Sequence, residues 1–161
     1  MRWAGQIADV QLGAVRRPPR GLVARTLWNL RAGRMQKLLA AATAASAPPL
    51  ALEIYLEHYK GSFGDKWMWT PIAITPPLTV AGIAGFYSER AAKTWLPALS
   101  ALFALDGAIG VLTHFRGVQK RPGGFKEPTY NLVMGPPLLA PGSLCLVGAM
   151  GILAALMRRE K

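Results

Sequence analysis

The sequence predicts an all-α integral membrane protein, a four-helix bundle built from two tandem two-helix repeats that run in the same direction, with a basic amphipathic arm before it. Three observations predict this. Apolar residues make up 52% of the 161 residues, and they fall in blocks that leave little room for charge. Each block approaches the roughly 20 residues needed to cross a hydrocarbon layer of about 30 Å. A polar motif also occurs twice, in matching places on two successive apolar hairpins.

The arm covers residues 1–37 and carries one acid, Asp9. Leu22, Val23, Leu27, Trp28, Leu30 and Met35 interleave there with Arg25, Arg31 and Arg34, a pattern expected of a helix lying along anionic headgroups. Pro18-Pro19 separates it from an earlier segment of mixed polarity, Ile7–Val15. The remainder, 38–161, forms the membrane domain, with spans expected at about 38–57, 68–87, 96–115 and 132–157.

The first span is Ala-rich and contains Pro48-Pro49 and one acid, Glu53. Its match to the third span predicts a retained helix, although basic residues followed by Ala44-Ala45-Ser46-Ala47 also resemble the tail of a secretory signal. The second span has no charge and contains Pro76-Pro77. The third holds only Asp106 and His114, and the fourth, with Pro136-Pro137, holds none. Proline removes a donor and clashes with the preceding turn. Neighbouring helices can satisfy the freed carbonyls in a membrane, so the last two proline pairs are expected at equivalent bends. Gly82, Gly85, Gly107, Gly110, Gly148 and Gly151 mark faces where backbones can approach closely.

Orientation follows from the bases, because Lys and Arg near span ends stay on the cytoplasmic side. With the N-terminus inside, 13 of the 19 basic residues fall on that side. A bacterial inner membrane location with both termini cytoplasmic is therefore expected. Tyr55, Tyr59, Trp67, Trp69 and Tyr130 fall at the outer boundary, with Tyr87 and Trp95 at the inner one, as an aromatic belt requires. Topology and anionic lipid account for most of the formal charge of +11, and no stacking or helix-turn-helix pattern points to nucleic acid. Cys145 is the single cysteine, which excludes an intrachain disulfide.

The repeated motif carries the candidate chemistry. In the first copy it reads Glu53, His58-Tyr59-Lys60-Gly61 and Pro76-Pro77-Leu78; in the second, Asp106, His114-Phe115-Arg116-Gly117 and Pro136-Pro137-Leu138. These are the two histidines of the chain. A repeat axis along the membrane normal would bring them to similar depth near the outer boundary. One expectation is axial ligation of a b-type haem by His58 and His114, with Arg116 and Lys60 meeting the propionates. A second is a metal site drawn from Glu53, Glu57, His58, Asp106 and His114. A third is that the imidazoles bond carbonyls or headgroups at helix ends. An ionisable group in hydrocarbon costs at least about 2.5–3.5 kcal/mol, so Asp106 should face inward with a partner.

Phosphate-cradling loops, nucleophile elbows and large histidine clusters are missing, so no catalytic activity of its own is expected. The sequence points first to a small accessory subunit that docks to other membrane subunits, such as those of an electron-transfer complex, or to a second copy of itself. The alternatives are a membrane redox protein holding haem or metal at the histidines, and a proton or solute pathway through Asp106.

Overall fold

A computed structural model of the chain describes residues 21–160. Every regular element among them is helical. The chain divides into two units, 1–33 and 34–161. The first unit contributes α1, Leu22–Arg31, an amphipathic helix whose Leu22, Val23, Leu27 and Leu30 are exposed. The segments expected before it, Ile7–Val15 and Pro18-Pro19 with Asp9, lie outside the described residues.

The second unit runs through α2 (Gln36–Lys60), a short 3₁₀ turn at Lys66–Trp69, α3 (Thr70–Tyr87), α4 (Glu89–Lys93) and α5 (Trp95–Gln119). A second 3₁₀ turn at Gly124–Lys126 leads to α6 (Pro128–Val133) and α7 (Leu139–Leu156). Three helices are long and apolar enough to cross a membrane: α2, the continuous stretch Glu89–Gln119 and α7. Helix α3, 18 residues long and uncharged with three prolines, three threonines and two glycines, is not among these three.

The expected fourth span, 132–157, is broken. Helix α6 stops at Val133, and α7 starts only at Leu139. Gly135-Pro136-Pro137 separates them, because proline biases the residue before it away from helical geometry and two in a row do so twice. The two proline pairs are therefore not equivalent: Pro76-Pro77 lie inside α3, whereas Pro136-Pro137 precede α7. Pro48-Pro49 also lie within a helix, on an exposed face of α2.

Helix α2 packs on α3 and α7, and α5 packs on the same two, so α2 and α5 oppose each other across a diagonal. The seams are made of small residues. A Cβ placed on Gly82 would fall 2.9 Å from Ala40 O and from Ala44 Cβ. One on Gly107 would fall 2.7 Å from Leu144 Cβ, and one on Gly148 would fall 2.6 Å from Ser100 O. Such approach lets dispersion and backbone contact hold helices together where surrounding lipid removes the hydrophobic drive. Phe103, Leu78 and Leu96, all fully buried, fill the space between these seams.

Buried positions recur at fixed separations. Thr75, Leu78, Ala81, Gly82 and Gly85 of α3 correspond, 66 positions on, to Pro141, Leu144, Val147, Gly148 and Gly151 of α7. Gln36, Ala40, Thr43 and Ala47 of α2 correspond, 60 positions on, to Leu96, Ser100, Phe103 and Gly107 of α5. In that register His58 matches Val118, and His114 matches Ile54, so the two histidines do not occupy equivalent packing positions.

The end opposite the histidines is strapped by the C-terminal tail. Glu160 accepts from the backbone N–H groups of Lys37 (2.7 Å) and Leu38 (3.0 Å) at the start of α2. Arg159 donates to Gln36 Oε1 and to the carbonyls of Gly85 and Phe86 at the end of α3. A carboxylate at a helix N-terminus and a guanidinium at a C-terminus both complement the backbone dipole.

Replacing Gly148 with valine should lower the unfolding free energy by about 1–3 kcal/mol through overpacking against Ser100 and Ala104. Gly142→Ala, where a Cβ meets open space, should leave it unchanged or slightly raised. Thermal unfolding in detergent, followed by circular dichroism, distinguishes the two.

Candidate functional site

The C-terminal ends of α2 and α5 and the N-terminal ends of α3 and α7 surround a cavity of about 810 Å³. Its walls are largely apolar, with Ile54, Ile74, Ile109 and Leu144 from the four long helices and Pro71, Pro136, Pro137 and Pro141 at the helix starts. The prolines help to explain why space exists here and not at the other end. Pro136 rests on Gly117, and Pro141 on Gly110, so α7 enters against the backbone of α5.

His58 and His114 both line this cavity, from opposite helices, with ring centroids 6.5 Å apart and planes inclined at 76°. His58 Nδ1 lies 2.9 Å from Met68 O, and His114 Nδ1 lies 2.7 Å from Pro137 O. A carbonyl can only accept, so each Nδ1 carries the proton and donates it. Each imidazole therefore ties down the connection leading to the next long helix, α3 or α7. The neutral ring then has its lone pair on Nε2, and no described residue engages that atom.

Asp106 reaches the same cavity and accepts a 2.5 Å hydrogen bond from Thr70 Oγ1, the first residue of α3. Among the described residues it has no basic partner. Glu57 also lines the cavity, but its carboxylate is paired with Lys60 at 2.5 Å. Asp65 is occupied in capping the 3₁₀ turn, accepting from Trp67 N–H at 3.0 Å.

Other expected ligands are not brought in. Glu53 is exposed on α2 and does not line the cavity, because it falls on a different face of the helix from His58. Lys60 is engaged by Glu57, and Arg116 is exposed and outside the lining. No lysine or arginine lines the cavity, so the residues present offer nothing to haem propionates. Among the described residues, no group of three or more His, Cys, Asp or Glu is arranged to hold a metal ion. The expected metal set is therefore not assembled among the described residues, and the basic partners expected for haem do not line the cavity.

An aromatic cluster supports the His58 side. Phe63 stacks on Trp69 at 4.1 Å, tilts against Tyr55 at 5.4 Å and meets His58 edge-on at 6.0 Å. The chain delivers Phe63 through a turn in which Ser62 and Phe63 have φ of 56° and 47°, the left-handed region that L side chains avoid. Nothing in the sequence singled out Thr70 or Phe63. Asp65-Lys66 does carry a cap signal, and the block of aromatics from Tyr55 to Trp69 is visible. Comparison of the chain with protein-family models, with curated proteins and with solved structures finds no match.

Glycine at position 62 would relieve the left-handed strain at the expense of unfolded-state entropy, so Ser62→Gly should raise the unfolding free energy by about 0.5–1 kcal/mol. Denaturant titration followed by tryptophan fluorescence checks it.

Proposed function

We propose that this is a small integral membrane protein that binds an organic solute in the cavity between His58 and His114, without turning it over, as one subunit of a larger membrane assembly. The observation that carries the reading is the pair of imidazoles from opposite helices sharing one apolar-walled cavity with Asp106. Each imidazole is fixed through Nδ1 and leaves Nε2 to a ligand. A cavity with convergent polar groups in apolar walls is the usual form of a small-molecule site. The fully buried Phe103 and Leu78 lie between the helices beyond it, which favours a closed binding site over a through-path.

The accompanying topology is a four-helix bundle with both termini cytoplasmic, in a bacterial inner membrane, with the cavity opening outward. The bias of basic residues supports that orientation, and the absence of charge in α3 supports its being the remaining span. Exposed Tyr59, Trp67, Trp69 and Tyr130 at the cavity end and Tyr87 and Trp95 at the other are consistent with two interfacial belts. The 60- and 66-residue spacings of buried positions support a tandem two-helix repeat, in a register different from that of the polar motif. The exposed leucines of α1, interleaved with arginines, support a docking arm for anionic lipid or a partner subunit.

Two outcomes test this. In a Cys145→Ala background, a cysteine replacing Lys66 or Lys120 should react in intact cells with a membrane-impermeant maleimide, whereas one replacing Arg90 should react only after lysis; the reverse pattern overturns the orientation. Native mass spectrometry of the full chain released from membranes should show a bound small molecule that is lost in His58→Asn/His114→Asn. Asparagine can still donate to the loop carbonyl but lacks the Nε2 acceptor, so an unchanged bound mass, or none in either protein, overturns the binding reading.

A further inference from the structure

The chemical class of the solute follows from the polar inventory of the cavity, and this step rests on the binding reading above. Besides the indole N–H of Trp67, the side-chain groups open to a ligand there are acceptors, chiefly Nε2 of His58, Nε2 of His114 and the carboxylate of Asp106. Glu57 is paired with Lys60, Asp65 is exposed and caps the 3₁₀ turn through Oδ1 while adding negative charge, and no lysine or arginine lines the space. Such a site repels phosphates and carboxylates and offers more acceptors than donors to a ligand.

We infer that the cavity takes a primary organic ammonium ion, whose three N–H groups go to His58 Nε2, His114 Nε2 and the Asp106 carboxylate. An ammonium group has three donors and no acceptor, which suits these three acceptors in kind. The spacing agrees as well. Where both Nε2 atoms turn to one tetrahedral nitrogen at about 2.9–3.0 Å each, the ring centroids stand about 6–7 Å apart, a range that includes the 6.5 Å found here. The carboxylate supplies the opposite charge that a cation needs in a site of low dielectric. The organic part would lie against Ile74, Ile109 and Leu144.

Isothermal titration of the full chain in detergent at neutral pH with phenethylammonium, its N,N,N-trimethyl derivative and 3-phenylpropanoate tests this. The primary ammonium should bind one per chain and at least tenfold tighter than the trimethyl ion, which has the charge but no N–H. The propanoate should give no heat. Asp106→Asn should weaken phenethylammonium binding at least tenfold, and so should His114→Asn, with thermal midpoints measured alongside to confirm folded protein. Equal binding of all three probes, or zinc or haemin binding that depends on the histidines in place of the amine, overturns the inference. If the amine fails while wild-type protein still keeps a native mass that His58→Asn/His114→Asn loses, the ammonium assignment falls and the cavity reading stands. If that mass is missing too, both fall.

Discussion

Close backbone approach at small residues is the constraint on which this architecture rests. In a hydrocarbon environment apolar side chains gain little by turning inward, so association depends on how near two helices can come. Gly82 against Ala40 and Ala44 sets that distance for α2 and α3, and Gly107 against Leu144 with Gly148 against Ser100 and Ala104 set it for α5 and α7. Larger apolar groups, including Leu102, Leu105, Ile109 and Leu112 of α5, are substantially exposed, an inversion of the usual soluble pattern. The polar strap of Glu160 and Arg159 then fastens one end.

The opposite end is built differently, and the cavity is the result. Four prolines, Pro71, Pro136, Pro137 and Pro141, stand at the starts of α3 and α7 and form part of the cavity wall. Gly110 and Gly117 accommodate Pro141 and Pro136, so α7 leans on α5 at its beginning. The histidines secure the connections that enter this space. Packing and opening are thus divided along the helix axes, and the few polar groups sit at the open end.

Much of the helical content was legible because charge-free blocks of the right length admit few other structures. The seams were legible too, since glycine pairs three apart predict close approach. The break at 134–138 was not. Pro136-Pro137 and Pro76-Pro77 look alike in sequence, yet one pair stands outside a helix and the other within it. What differs is Gly135 before the former and the long-range contact of Pro136 with Gly117, which no local pattern contains. The meeting of His58 and His114 followed from the repeated motif, although their packing positions are not equivalent. Glu53 was misplaced because a face inferred from spacing alone carries an angular error large enough to turn it outward. Thr70 was unreadable, being one of several hydroxyl residues until the fold brings it to Asp106.

Each imidazole in this arrangement has two sides with different audiences. One nitrogen holds an exterior connection through Met68 or Pro137, and the other belongs to the interior space. Electron density drawn from one nitrogen makes the proton on the other more acidic and its bond to the carbonyl stronger. Filling the interior would accordingly stiffen both turns on the rim, so that a neighbour resting on those turns could sense the filling without touching whatever lies inside.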